Sequence, residues 1–167
     1  LTALMDKKIR TCGVGKIGDV FAMEGISETY PVKGNELCLK EFMTLLKEEN
    51  DGFFFVNLVD FDMLYGHRND PEGYAKALEH FDRSLSRILP HVEKDDLLII
   101  TADHGNDPTT ASTDHNREYV PVLMYTPGRK GQDLGILHTL SDIGATAYYA
   151  LTGEDAPGIN GKNVLKC

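Results

Sequence analysis

Four apolar residues, Leu97-Leu98-Ile99-Ile100, run straight into Thr101-Ala102-Asp103-His104-Gly105. The apolar run does not alternate, and a strand of that kind needs cover on both faces. That demand favours an α/β arrangement in which helices flank a sheet. Asp103 and His104 then fall just past the carboxyl end of the strand, where open α/β sheets place their ligands. A carboxylate beside an imidazole can be half of a metal site or a plain polar turn, and this segment alone admits both.

The rest of the chain repeats the pattern. Residues 1–8 read as the tail of a helical segment or a tag remnant, and 9–14 as a short strand containing Cys12. Gly13-Val14-Gly15-Lys16 is not a phosphate-binding P-loop: the first glycine is wrongly spaced and Ile17 stands where Ser or Thr belongs. Residues 18–34 read as a loop with a short helical turn. A helix over 36–47 follows, with Asn35 as its cap and Leu37, Phe42, Leu45 and Leu46 as its apolar stripe. Asn50-Asp51-Gly52 supplies turn chemistry, and 53–59 is a second apolar strand. Pro71 opens a helix over 72–89, whose buried face is Tyr74, Ala77, Leu78, Phe81, Leu85 and Ile88. A polar loop spans 106–118, a strand 119–125 and a loop or short edge strand 131–137. A last helix spans 139–151, capped by Thr139 or Ser141 and packing Leu140, Ile143, Ala147 and Leu151. Strand, helix, strand, helix, strand with long connections predicts a mostly parallel sheet with helices on both faces. Nothing in the sequence divides the chain, so residues 1–167 read as one domain.

The net charge is −9 and there is no basic stripe, which argues against a nucleic-acid partner. An acidic chain can still take an anionic substrate where bound cations invert the local field. Cys12, Cys38 and Cys167 are far apart and odd in number, as free thiols in a reducing compartment would be. There is no signal peptide and no apolar run of membrane length, so the expected location is cytoplasmic, with no membrane partner.

Acid and histidine recur together at the ends of the strands: Asp62 with His67, Asp103 with His104, and Asp114 with His115 in the loop. Aspartate oxygens and imidazole nitrogens together suit a divalent transition metal such as Mn²⁺ or Zn²⁺. Parallel strands would deliver these groups to one edge of the sheet. His80, His91 and His138 read as surface or capping residues. No Gly-x-Ser-x-Gly elbow is present, and no cysteine has a histidine neighbour suited to nucleophilic work. Thr109, Thr110 and Thr113 read as turn chemistry ahead of a metal-activated hydroxyl.

Thr101-Ala102-Asp103-His104-Gly105, with His115 eleven residues on, resembles the metal-binding segment of the alkaline phosphatase superfamily. Three further stretches narrow the likeness to the phosphopentomutase family. They are Asn57-Leu58-Val59-Asp60-Phe61-Asp62-x-x-Tyr65-Gly66-His67-Arg68, Gly105-Asn106-Asp107-Pro108-Thr109 and Asp114-His115-x-Arg117-Glu118. The resemblance implies an α/β core with an inserted cap domain. It implies an isomerase that interconverts the 1- and 5-phosphates of ribose or deoxyribose, with two Mn²⁺ ions and a phosphorylated threonine. By the same resemblance, Asp62, His67 and His115 hold one metal, Asp103 and His104 hold the other, and Lys16 faces the substrate. Ligands must be deprotonated, so metal binding should weaken as pH falls.

The family's phospho-acceptor threonine, one more metal-binding aspartate and the cap have no match in this sequence. The expectation is therefore the C-terminal core portion of such an enzyme, with an N-terminal segment of the same protein completing the site. Two other readings share these residues. One is a different superfamily metalloenzyme, a phosphoglycerate mutase or a phosphodiesterase. The other is a non-catalytic domain with a structural metal, which the candidate ligands disfavour, being Asp and His where structural zinc sites are rich in Cys.

Overall fold

A computed structural model describes residues 1–48 and 51–166. At its centre is a parallel sheet of β1 (Thr11–Val14), β2 (Glu28–Tyr30) and β3 (Phe53–Val56) in the order β2-β1-β3. Cys12 lies opposite Phe54, and Val14 opposite Val56 and Tyr30. Successive side chains point to opposite faces of a strand, so these five share one face. Helix α3 (Asn35–Leu45) covers that face: Cys38 and Leu45 join Val14 in a core cluster against Tyr30, Phe54 and Val56. Helix α2 (Ile17–Val20) covers the other. A side chain on Gly13 would press on Ile17, and the Phe21 ring meets Phe55 with centroids 5.8 Å apart. Helices flank both faces, as the apolar strands require.

The strand Leu98–Thr101 (β4) departs from the expected single sheet. It pairs antiparallel with β5 (Val122–Tyr125) in a two-stranded sheet of its own. A parallel return needs a crossover, usually a helix, and the polar stretch after Gly105 forms none. Leu98 joins Leu39, Ile88 and Val92 in a second core cluster that Leu58 also touches, and this cluster ties the two sheets together.

Helix α4 (Pro71–Ile88) keeps its predicted extent, with Pro71 in its first turn and the Asp70 carboxylate accepting from the Gly73 N–H at 2.9 Å. Residues 1–8 contain α1 (Thr2–Asp6), the helical reading of the two.

Several local expectations fail for identifiable reasons. The loop over 18–34 contains β2, a three-residue edge strand too short to show a pattern. Asn35 lies inside α3 rather than capping it. Its N–H donates to Asp60 Oδ2 at 2.7 Å, and its side-chain carbonyl accepts from the Asp60 N–H at 3.0 Å. Leu37, Leu78 and Leu140, expected on buried faces, are each at least half exposed. The last helix, α5 (Ser141–Thr152), has no side-chain cap at Leu140, although the Thr139 hydroxyl accepts from the Ser141 N–H at 3.3 Å. Asp142 organises this end of the helix instead. It accepts from the N–H groups of His138 and Thr139, each at 3.2 Å, and of Lys162 at 2.7 Å.

Cys12 and Cys38 are free and buried, and burial pushes both thiols up. Cys167 and the Asn50 of the expected turn lie outside the described residues. No helix among the described residues is long and apolar enough to cross a membrane.

Candidate metal centre

The site begins where β3 ends. Beyond it the chain enters a π-helical turn (Phe61–Tyr65) and a 3₁₀ turn (Gly66–Arg68). Irregular turns of this kind re-aim side chains that a regular helix would spread around its axis. The reciprocal pair of bonds between Asp60 and Asn35 fixes the entry to the turn. Phe61 packs on Tyr74 of α4, with ring centroids 5.4 Å apart. Asn69 ends the turn in a left-handed conformation, φ 50°, and its amide donates to the Thr110 carbonyl at 2.8 Å. Asn tolerates that conformation better than most residues.

The loop after β4 closes onto this turn from the other side. Gly105 and Asn116 form an isolated antiparallel bridge, with the Asn116 N–H donating to the Gly105 carbonyl at 3.2 Å. The bridge sets His115 above Asp62 and His67. Asp62 Oδ1 lies 3.3 Å from His67 Nε2 and 3.1 Å from His115 Nε2. The two imidazole nitrogens are 3.2 Å apart. Ligand atoms bound at about 2.0–2.2 Å to one ion stand roughly 3.0–3.5 Å from each other. The triangle fits that spacing.

The donor chemistry agrees. His67 Nδ1 meets the backbone carbonyl of Thr113. A carbonyl can only accept, so the proton sits on Nδ1 and Nε2 presents its lone pair to the triangle. The Asn106 amide donates to Asp62 Oδ1 at 2.9 Å. All three candidate ligand side chains remain partly open to solvent. That leaves coordination positions for another group, which a closed structural site does not. Burial, together with the nearby Asp62 charge, pushes the Tyr74 phenol up.

Asp103 and His104 lie next to this triangle and outside it. The His104 ring stacks on His115, centroids 3.7 Å apart and planes 20° from parallel. Asp103 Oδ1 stands 3.7 Å from His104 Nε2, and its side chain is 80% exposed. Among the described residues no third donor joins them. Lys16 directs its ammonium to Met63 Sδ at 3.1 Å, beside the turn that carries Asp62. Gly15 makes this placement possible: its φ is +78°, and a side chain there would run into the Asn57 carbonyl. Asp114, His80, His91 and His138 are outside the triangle. The Thr109 hydroxyl and N–H both donate to Asp107, at 2.7 and 2.9 Å, and hold its carboxyl below the ordinary aspartate range. That is turn chemistry, as the sequence suggested.

Three supporting contacts were not foreseen. The Thr113 carbonyl leaves no mark in a sequence, because any residue could supply it. The Asp60–Asn35 exchange joins positions 25 apart. Asn69 carried the one available signal, an Asn just before Asp-Pro where a left-handed residue ends a turn.

Residues 16–154 match the family model described as the metalloenzyme superfamily. The chain is 55% identical over 156 residues to a phosphopentomutase of Anaeromyxobacter sp. (strain K), which covers 92% of this chain and 40% of that protein. It is 47% identical over 168 residues to a phosphopentomutase of Desulfitobacterium hafniense (strain DSM 10664 / DCB-2), covering 99% of this chain and 42% of that protein. It therefore spans about 40% of the length of these curated relatives. Among solved structures, a phosphoglycerate mutase of Leishmania mexicana has the same fold, with a TM-score of 0.72 at 22% identity over 96% of this chain and 38% of the other. The PH0037 protein of Pyrococcus horikoshii matches 78% of this chain and 42% of its own, with a TM-score of 0.62 at 25% identity. The chain belongs to the metalloenzyme superfamily, and the curated relatives matched at 47–55% identity are phosphopentomutases.

Proposed function

We propose that this chain, as one α/β unit over residues 1–167, carries the C-terminal metal-binding core of a phosphopentomutase. The reaction is intramolecular phosphoryl transfer between the 1- and 5-phosphates of ribose or deoxyribose. The observation that carries this reading is the triangle of Asp62 Oδ1, His67 Nε2 and His115 Nε2, all 3.1–3.3 Å apart. It occurs in a chain whose curated relatives bear that enzyme's name.

Asp62, His67 and His115 would hold one Mn²⁺. Asp103 and His104 would contribute to a second, whose remaining ligands would come from an N-terminal segment of the same protein, along with the phospho-acceptor threonine. Divalent ions held there would supply the positive charge that offsets a transferring phosphoryl group. The Thr113 carbonyl keeps the His67 proton on Nδ1, so that Nε2 stays a ligand. The stacked His104 ring holds the His115 imidazole in plane. Lys16 faces the substrate phosphate as a point charge. A chain of net charge −9 needs such local positive charge to take a phosphorylated sugar.

Two assays test this. The chain by itself should take up one Mn²⁺ per molecule and give no sustained conversion of ribose 1-phosphate. A longer protein that adds the parts present in the relatives should convert ribose 1-phosphate and leave 3-phosphoglycerate untouched. Its Lys16→Ala variant should raise KM for the pentose phosphate about tenfold, with Mn²⁺ affinity unchanged within about twofold. Turnover of 3-phosphoglycerate in place of the pentose phosphate would replace this reading with the mutase of the other substrate class.

A further inference from the structure

Asp62 Oδ1 is approached by two imidazole nitrogens and one neutral donor, the Asn106 amide at 2.9 Å. Asn106 stands in the loop between His104 and His115, next to the backbone bridge from Gly105 to Asn116. That bridge links the position of Asn106 rigidly to that of His115. The two groups thus reach Asp62 from one fixed corner, and the contact closes a ring of Asp62, Asn106, the Gly105–Asn116 bridge and His115. On the far side, Gly66 is buried in the 3₁₀ turn between Asp62 and His67. A Cβ built on Gly66 would overlap the Asn106 amide itself, on Nδ2, Cγ and Oδ1 together. The φ of Gly66 is −62°, a conformation open to any residue. Backbone freedom is therefore not the reason for a glycine here, and the space taken by the amide is.

We propose that Asn106 is a positioning residue for Asp62, and that Gly66 is the vacancy through which it reaches the carboxylate. A carboxylate ligand with free rotation about its χ2 spreads its lone pairs over many directions. A fixed N–H takes one lone pair of Oδ1 and leaves the other aimed into the triangle, at the point the imidazole lone pairs also face. An amide does this without adding charge. A lysine or arginine in its place would repel the cation, and a second carboxylate would repel Asp62. Partners of this kind on a metal ligand are worth roughly 10- to 100-fold in metal affinity. The inference rests on the reading of Asp62, His67 and His115 as ligands to one ion.

The test is a Mn²⁺ titration of the 167-residue chain, its Asn106→Ala and Gly66→Ala variants and the double variant, by calorimetry and by the loss of free-ion EPR signal. Thermal unfolding without metal is measured alongside. Each single variant should weaken Mn²⁺ binding roughly 10- to 100-fold. The double variant should be no worse than the weaker single within about twofold, because Gly66→Ala acts by displacing the same amide. Metal-free unfolding should shift little. Multiplying losses in the double variant would overturn the proposal, and so would a large fall in metal-free stability with affinity intact. Normal uptake by the parent chain with unchanged uptake by Asn106→Ala would overturn this inference alone. No uptake by the parent chain would overturn the metal reading and this inference with it.

Discussion

Asp62 and Asp142 are both aspartates in the first turn of a helical segment, and the fold treats them in opposite ways. Asp142 is 5% exposed and saturated. Three backbone N–H groups, those of His138, Thr139 and Lys162, point at its two oxygens. They hold its carboxyl below the ordinary aspartate range, with the Lys162 bond the largest cause. Asp62 receives a single side-chain amide and otherwise faces two imidazole nitrogens, of which His67 Nε2 is the unprotonated one of its ring. Backbone donors that cannot move use up a carboxylate in holding the chain together. A carboxylate left short of donors, opposite lone pairs, has capacity only a cation can fill. The C-terminal tail depends on the first kind of aspartate, and the candidate metal centre is built around the second.

Exchanging the two substitutions gives the largest contrast. Asp62→Ala should weaken Mn²⁺ binding by well over the roughly 100-fold that loss of an outer partner can cost. Its metal-free stability should shift by no more than about 1 kcal/mol. Asp142→Ala should do the reverse. Three backbone N–H groups lose the buried, ionised acceptor they share, which costs about 3 kcal/mol of folding stability, while Mn²⁺ affinity holds within about twofold. Urea unfolding and metal titration on the same two proteins check both halves. Equal loss of stability in the two variants would dissolve the distinction.

Acid sharpens it further. The folded Asp142 carboxyl titrates below its unfolded value, so its contribution is fully present above the unfolded value near about 3.9 and is lost as pH falls through the lower, folded one. Asp142→Asn removes the charge and keeps the shape. The stability gap between the parent chain and Asp142→Asn should be constant from pH 7 to about 5 and should close below about pH 4. Urea midpoints along that series would show it. A gap that widened in acid would mean that the backbone donors do not favour the charged form.

The sequence shows these two aspartates unequally, for physical reasons. Asp62 sits after an apolar strand and five residues before a histidine, a local arrangement that points to chemistry. Asp142 lies in an ordinary helix start, and its role depends on Lys162, 20 residues away. The same division runs through the fold. The apolar strands Phe53–Val56 and Leu98–Thr101 and the striped helix Pro71–Ile88 are legible, because burial writes a period into the residues themselves. The strand Glu28–Tyr30 is not, since three mixed residues carry no period. The antiparallel pairing of β4 with β5 is not, because direction depends on how the intervening loop returns. Asn35 reads as a cap, and the structure gives its N–H to Asp60 instead. Asp62, His67 and His115 can be named from the sequence, but their meeting within 3.3 Å depends on a π-helical turn and a backbone bridge.

The smallest expected effect belongs to Asp103. It stands one residue from His104, whose ring stacks on His115 of the triangle, so proximity alone would make it a partner of that site. Its geometry says otherwise. The side chain is 80% exposed, its nearest basic neighbour is His104 at 3.7 Å, and no atom of the triangle bonds it. An exposed charge of this kind contributes only through screened, long-range attraction, on the order of 1 kcal/mol or less. Asp103→Ala should therefore change the affinity of this chain for its first Mn²⁺ by less than about threefold at physiological salt, and by less still at high salt. Calorimetric titration at two salt concentrations measures this. A loss as large as that of Asp62→Ala would put Asp103 on the same ion and merge the two donor sets into one. A small, salt-sensitive change keeps Asp103 off this ion, as its exposure and its distance from the triangle require.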